Sequence, residues 1–217
     1  MQQRVISLGA ICEVAYQVKL HTDKLDADYF DWLITPYDAL IGAIKNDFEG
    51  FFKLEDLKIY DDQKSVINTK THVYYFHDFP LSDERTVLPD FPLYYEQAKS
   101  KYDHLKGKFL ALESFPGRAI FIRRDLSPDS AIFLYKTLEE RFPKLDFHLV
   151  SANSADHNWP QCSDKKIFCI EVPKTGPDGL GHAEPWCQEL KRIGLTDTGY
   201  KKTYPEIVKA GRHHVFE

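Results

Sequence analysis

The sequence predicts an α/β fold, a single domain with a mostly parallel sheet and helices on both of its faces in a Rossmann-like, three-layer arrangement. The first observation is an alternation of short apolar runs with amphipathic segments along the chain. The second is the block at residues 118–153, which reads as strand, helix and strand in succession. Such a βαβ unit requires parallel pairing of its strands and a right-handed crossover.

The expected elements begin with the strand RVIS and the amphipathic run ICEVAYQVKL. A helix at 37–52 follows, then one or two strands within 65–79 that end near His77, because β-branched and aromatic residues dominate there. Ser127 and Pro128 have the residue types of an N-cap and a first helical position. The remaining elements are a helix at 94–112, a strand at 118–124, a helix at 127–143, strands at 146–153 and 165–173, and a helix at 183–195.

Length and composition limit the possible functions. The 217 residues predict one domain over 1–217, with the sequence motifs in 1–150 and fewer recognisable features in 151–217. A net charge of −5 without a Lys/Arg cluster argues against binding to nucleic acid. No apolar run approaches the ~18 residues that span a bilayer, and no signal peptide is visible, so we expect a cytoplasmic protein without a membrane partner.

The four cysteines do not form a CxxC pair, and we therefore expect no zinc site, no other metal and no cofactor. In a reducing compartment these cysteines are free thiols. Cys169, within the apolar run IFCIEV, is expected to be a small core residue.

The stretch SLGAIC places a cysteine where the first strand gives way to a helix. Ligands of open α/β sheets bind beyond the carboxyl ends of the strands. Gly9 permits a tight turn there, and Cys12 falls in the first turn of the helix, where the helix dipole favours a thiolate and backbone N–H groups can hold an oxyanion. Two alternatives stay open: Cys12 packs on the sheet, or the turn with Ser7 and Gly9 binds a phosphate.

A thiol nucleophile needs a base, and the base needs an orienting partner. His77 ends the aromatic run YYFHDF and is followed by Asp78, while His157 follows a later strand and is a second candidate. The histidines at 182, 213 and 214 lie in polar surroundings and are expected at the surface.

Asp31 stands between Phe30 and Trp32 in the apolar stretch YFDWLITP. A carboxylate placed there needs partners, because burying it alone is costly. Asp31 either caps the turn before Trp32 or serves the site, by orienting an imidazole or contacting a substrate beside Trp32. Arg123 and Arg124 end the strand RAIFIRR and either bind a carboxylate or phosphate at the same edge or form a salt bridge within the scaffold.

In combination and order, SLGAICEVA, FDW, HD and a later strand ending in basic residues resemble a bacterial family, DUF1796, described as "putative papain-like cysteine peptidase". The resemblance implies Cys12 as nucleophile, His77 as base and Asp31 or Asp78 as its acidic partner. A papain-like enzyme has its cysteine at a helix start, as here, and its histidine on an antiparallel sheet. The βαβ pattern instead predicts a parallel architecture, which we take as the fold.

Three functions follow. The first is a cysteine-dependent hydrolase or acyltransferase acting on a small-molecule, peptide or glycan substrate. The second is a transferase or esterase-like enzyme that binds a phosphate or sugar nucleotide at the SLG turn with help from Arg123 or Arg124. The third is a binding module without chemistry, whose abundant Tyr and Trp contact carbohydrate or peptide.

Overall fold

A computed structural model describes residues 2–24, 26–154, 166–176 and 179–196. The strands in these ranges are β1 Gln3–Ser7, β2 Leu33–Ile34, β3 Leu57–Ile59, β4 Val66–Asn68, β5 Tyr74–Tyr75, β6 Arg118–Arg124, β7 Asp146–Asn153 and β8 Ile167–Glu171. The α-helices are α1 Cys12–His21, α2 Tyr37–Lys45, α3 Tyr95–Leu110, α4 Pro128–Arg141 and α5 Ala183–Arg192.

The main sheet has four strands in the order β1-β6-β7-β8, and every neighbouring pair is parallel. Phe121 of β6 lies between Ile6 of β1 and Leu149 of β7. The βαβ unit of β6, α4 and β7 therefore forms as predicted, and the carboxyl ends of the strands share one edge of the sheet.

Side chains of β6 alternate between the two faces of this sheet. Ile120 and Ile122 join a core cluster with residues of α1 and α5, whereas Ala119 and Phe121 join a second, larger cluster with residues of α2, α3 and α4. Helices thus cover both faces, which confirms the predicted α/β class.

A second sheet of four short antiparallel strands has the order β2-β5-β4-β3. Two of its strands, β4 and β5, lie within 65–79, where the sequence predicted one or two strands. The other two, β2 and β3, were not predicted, because runs of two or three residues show no clear period. The sheet packs on an aromatic cluster in which the ring of Tyr75 lies 5.0 Å from Phe52 and 5.5 Å from Tyr102. It also brings residues 76–78 to the end of β5.

The helix starts differ in how they are capped. The Oγ of Ser127 accepts the backbone N–H of Ser130 at 3.2 Å, with Pro128 in the first turn, as the sequence predicted. At α1 the N-cap residue is Ile11, and its side chain makes no capping hydrogen bond. The first N–H groups of α1 are therefore not satisfied by a side-chain cap.

Two details differ from the sequence prediction. The helix expected over 37–52 ends at Lys45, because Asp47 and Phe48 have positive φ angles of 48° and 60°, which a helix does not accommodate. Cys169 is half-buried rather than buried, because β8 is the edge strand of its sheet. Within the described ranges, none of the helices has the length and apolar character needed to cross a membrane.

Replacing Phe121 by Ala should lower the free energy of unfolding by about 3–5 kcal/mol, because its fully buried ring leaves a cavity in the middle strand. Phe133→Ala on α4 is the matched control: its ring is 47% exposed, and we expect a change within about 1 kcal/mol. Urea unfolding followed by circular dichroism measures both values. Similar losses for the two variants would contradict the assignment of Phe121 to the core.

Candidate functional site

The turn between β1 and α1 fixes the position of Cys12. Gly9 and Ala10 have φ angles of 73° and 75°, in the left-handed region. A Cβ added to Gly9 would lie 3.0 Å from Oγ1 of Thr35, so both the φ angle and the space require glycine. The turn delivers Cys12 as the first residue of α1, at the carboxyl edge of the parallel sheet.

Ser7 supports this turn from inside the protein. It is fully buried, and its Oγ accepts the backbone N–H of Gly9 at 3.2 Å. The backbone of Thr35 adds a second link, because its N–H donates to the carbonyl oxygen of Ala10 at 3.3 Å. Ser7 and Gly9 are thus part of the support of the cysteine turn.

Arg123 joins the cysteine turn to the segment that carries Thr35. Its guanidinium donates to the carbonyl oxygen of Leu8 at 2.7 Å and to that of Thr35 at 2.8 Å. Burial lowers the pKa of Arg123 to about 10, so the group stays protonated at neutral pH. Both contacts are made within the scaffold, at the edge where the sequence predicted an arginine.

Arg124 and Glu13 form a buried ion pair behind the cysteine turn. Nη1 of Arg124 lies 2.8 Å from Oε1 of Glu13, and the side chains are 2% and 0% exposed. Glu13 also accepts from the indole N–H of Trp186 at 2.7 Å and from the hydroxyl of Thr175. Arg124 donates further to the carbonyl oxygen of Pro173 at 2.6 Å. Of the alternatives left open for Arg124, the geometry matches the salt bridge.

Asp31 anchors a second turn that faces the cysteine. Its carboxylate is buried, and Oδ2 accepts the backbone N–H of Asp28 at 3.1 Å. The same oxygen lies 3.5 Å from Nζ of Lys19 and 3.4 Å from Nζ of Lys24. Asp31 therefore stabilises the turn before Trp32, which is one of the two roles predicted for it.

Trp32 follows in a left-handed conformation, with φ at 64°. Such a backbone costs a bulky residue about 1–3 kcal/mol and persists only where the surroundings hold it. Nζ of Lys19 lies 5.5 Å from the centre of the indole, and the ring of His77 meets the indole edge-on at 5.9 Å and 81°. The strained residue thus links a buried ammonium to the candidate base.

His77 is exposed and lies two residues after the end of β5. The neighbouring Asp78 is buried and bound to α3, since its two oxygens accept from Nζ of Lys101 at 2.6 Å and from the hydroxyl of Tyr102 at 2.9 Å. His77 therefore follows an antiparallel sheet while Cys12 starts a helix on a parallel one. The other candidate base, His157, lies outside the described residues, as do the residues at 213 and 214; His182 is exposed, as expected.

The electrostatics of Cys12 are the reverse of the expected ones. Burial raises the pKa of the Cys12 thiol from 9.0 to about 11; its backbone hydrogen bond lowers the pKa, and the charges of Asp31 and Asp78 raise it further. The expectation that the helix start lowers this pKa is wrong, because desolvation outweighs the backbone hydrogen bond. The hydrogen bond from Thr35 to Ala10 and the pairing of Leu33 with Tyr75 bring the three motif segments together at this edge of the sheet.

Sequence reasoning missed the lysines of this site. Lys19 is 1% exposed and lies on α1 two helical turns after Cys12, on the same face. Burial lowers the pKa of Lys19, although Asp31 beside it opposes that shift. A lysine at helical spacing with Cys12, seven residues apart, is the signal that could have found it, whereas nothing local in the sequence connects Lys101 with Asp78.

Replacing Arg124 by Met should lower the free energy of unfolding by about 3–5 kcal/mol, because Glu13 keeps a buried charge without its cation. Arg118→Met is the matched control, since Arg118 pairs with Asp146 at 2.7 Å on the surface, where we expect a loss within about 1 kcal/mol. Unfolding of both variants in urea measures the two losses of free energy. Equal losses would show that the Glu13–Arg124 pair is not a buried determinant of stability.

Comparisons with known proteins place this chain in a family. No solved structure matches the chain. A protein of Acanthamoeba polyphaga mimivirus named uncharacterized protein R408 is 29% identical over 210 residues, which covers 86% of this chain and 83% of that protein. The DUF1796 family, described as "Putative papain-like cysteine peptidase", matches residues 3–155, a stretch that holds the cysteine turn, the Asp31–Trp32 turn and His77. The chain belongs to the DUF1796 family.

Proposed function

We propose that the protein is a cysteine-dependent hydrolase or acyltransferase, with Cys12 as nucleophile and His77 as general base. The observation that carries the proposal is that three segments distant in sequence are linked side by side. The N–H of Thr35 donates to the carbonyl oxygen of Ala10 in the cysteine turn, Leu33 pairs with Tyr75 of β5, and Trp32 contacts His77. The family description adds support, because it names cysteine peptidase chemistry.

The raised pKa decides which form of the mechanism applies. With a pKa of about 11, roughly 0.03% of the thiol is ionised at pH 7.5, so a resting thiolate–imidazolium pair is disfavoured. Cys12 would attack the carbonyl carbon while its proton passes to the neutral ring of His77, as a serine nucleophile does. The imidazolium then gives the proton to the leaving group, and water releases the acyl group from sulfur by the reverse sequence.

The carboxylates that disfavour the thiolate would favour a positive charge on the histidine during the reaction. Asp31 and Asp78 are buried anions beside the site, and an anion stabilises the imidazolium that forms when His77 accepts the proton. Asp78 is next to His77 in the chain and is held by α3, which suits a partner that orients the base.

Backbone groups are the candidate oxyanion donors. The first N–H groups of α1 have no intrahelical acceptor, and the side chain of the N-cap residue Ile11 does not satisfy them. A tetrahedral oxyanion formed at Cys12 would lie at this end of α1, where such donors and the helix dipole stabilise negative charge. A phosphate at the same turn has less support, because Arg123 and Arg124 both bind scaffold atoms.

An activated ester tests the nucleophile directly. With 4-nitrophenyl acetate we expect one acetyl group on Cys12, found by peptide mass mapping, and acylation slowed at least 100-fold in His77→Gln, because a general base contributes about 10²–10⁴ to the rate. Cys169→Ala is the matched control and should be acylated on Cys12 like the unmodified protein. The proposal would be contradicted if the acetyl group were found on Cys169 instead, or if the acylation rate were the same in His77→Gln as in the unmodified protein.

The pH dependence of alkylation tests the mechanism. A thiol reacts as its thiolate, so raising the pKa from 9.0 to about 11 should slow alkylation of Cys12 by iodoacetamide about 100-fold at pH 7.5, with the rate still rising with pH above pH 9. Asp31→Asn removes one of the charges that oppose the thiolate, so the midpoint of the curve of alkylation rate against pH should shift to lower pH. Asp129→Asn, on the exposed start of α4, should leave it unchanged. A plateau below pH 8 in the unmodified protein would contradict a protonated resting thiol.

A further inference from the structure

One face of α1 carries three polar side chains for which the proposed chemistry has no use. Glu13, Gln17 and His21 follow one another at intervals of four residues, so they lie on one side of the helix, and all three are fully buried. Cys12 and Lys19 share a different face of the same helix. Buried polar groups need hydrogen-bond partners, and most of the partners of this face come from a distant part of the chain.

These partners lie between the end of β8 and the first turn of α5, in residues 173–176 and 179–186, which we call the β8–α5 segment. Its strongest contact is with Glu13. The indole N–H of Trp186 donates to Oε1 of Glu13 at 2.7 Å, and the hydroxyl of Thr175 donates to Oε2. The segment therefore binds both carboxylate oxygens of a residue in the first turn of α1.

The same segment follows α1 beyond Glu13. Nε2 of Gln17 donates to the carbonyl oxygen of Leu180 at 2.6 Å, and Oε1 of Gln17 lies 3.2 Å from Nε2 of His21. Gly181 lies directly against the carboxylate: a Cβ added to it would be 2.3 Å from Oε1 of Glu13 and 2.7 Å from its Cγ, closer than real Cβ atoms approach. The contact therefore requires a residue without a side chain at 181.

Glu13 is the residue after Cys12, so a contact that holds Glu13 also holds the backbone of the cysteine. On the other side, Cys12 is held by the turn in which Ala10 accepts the N–H of Thr35. The N-cap residue between them, Ile11, makes no side-chain capping bond to the first turn of α1. Cys12 therefore lies between two supports, and Glu13 provides the second one.

We propose that the β8–α5 segment positions Cys12 by holding Glu13. Thr175 and Gly181 are then positioning residues, because they act on the nucleophile through Glu13. The segment lies beyond residues 3–155, the stretch that matches the family, so this support comes from outside the part of the chain that carries the motifs. Its meaning for catalysis rests on the proposed function, whereas its effect on the thiol does not.

Two glycines of the segment form a matched pair for the test. Gly181 and Gly179 have φ angles of 76° and 72°, so alanine brings the same backbone strain at both, but a Cβ at Gly179 meets nothing within 4 Å. Only Gly181→Ala separates the segment from Glu13. We expect it to speed alkylation of Cys12 by iodoacetamide about tenfold at pH 7.5, because a displaced first turn relieves the burial that raises the pKa of the thiol. Gly179→Ala should react like the unmodified protein.

A pair of threonines gives a milder version of the same test. Thr175→Val removes one donor to Glu13 and keeps the size of the side chain, so alkylation of Cys12 should be about threefold faster. Thr137→Val is its control: the hydroxyl of Thr137 donates to the carbonyl oxygen of Phe133 at 2.9 Å within α4, which packs on the opposite face of the main sheet from α1. Unfolding in urea shows whether each of the four variants is folded.

Equal curves of alkylation rate against pH for Gly181→Ala and Gly179→Ala would overturn the proposal, even if Gly181→Ala unfolded at a lower urea concentration, because a merely structural contact changes stability and leaves the thiol as it was. If Gly181→Ala does not fold, equal curves for Thr175→Val and Thr137→Val have the same meaning. If 4-nitrophenyl acetate failed to acylate Cys12 in the unmodified protein, the proposed function would be wrong, and the positioning of the thiol would still stand on the alkylation curves.

Discussion

The guanidinium of Arg123 joins the two turns on which the site depends. One turn, with Gly9 and Ala10 in left-handed conformations, sets Cys12 at the start of α1, and the other leads from Trp32 to Thr35. Arg123 binds a carbonyl oxygen of each, from Leu8 and Thr35. Once water is excluded, each N–H group of a buried arginine needs a hydrogen-bond acceptor. The two carbonyl oxygens therefore fix the position of the guanidinium. The strained turns are stabilised by this contact, and the position of the thiol follows from it.

A second property of the site is that its charges are buried in opposite pairs rather than removed. Asp31 is matched by Lys19 and Lys24, Asp78 by Lys101, and Glu13 by Arg124. Such pairs add little net stability over apolar packing, yet breaking one is strongly unfavourable. The main effect of these pairs is therefore on position: each pair holds its carboxylate in place, either near the Cys12 thiol or on α1. Burial is the main cause of the raised pKa of Cys12, and the charges of Asp31 and Asp78 raise it further.

Much of the scaffold could be predicted because it depends on local periodicity. The strand RAIFIRR and the helix with Ser127 as its cap formed where the sequence placed them. Half of the antiparallel sheet could not be predicted, since β2 and β3 have only two and three residues and carry no clear pattern. At the site, the sequence indicated Cys12 at a helix start, but the direction of its pKa shift depends on three-dimensional burial and on carboxylates 19 and 66 residues away in the chain. The cations that hold those carboxylates were missed for the same reason.

The two candidate residues, Cys12 and His77, are attached to different sheets. Cys12 is attached to the parallel sheet, whose strands share long registers, so its backbone is fixed by the main ladder. His77 follows β5, which pairs over two residues on each side and defines position weakly. Its placement must come from side chains instead: the edge of Trp32 on one side, and on the other Asp78 held by Lys101 and Tyr102 of α3. The candidate base is therefore held through α3 and Trp32 rather than through the short strand that it follows.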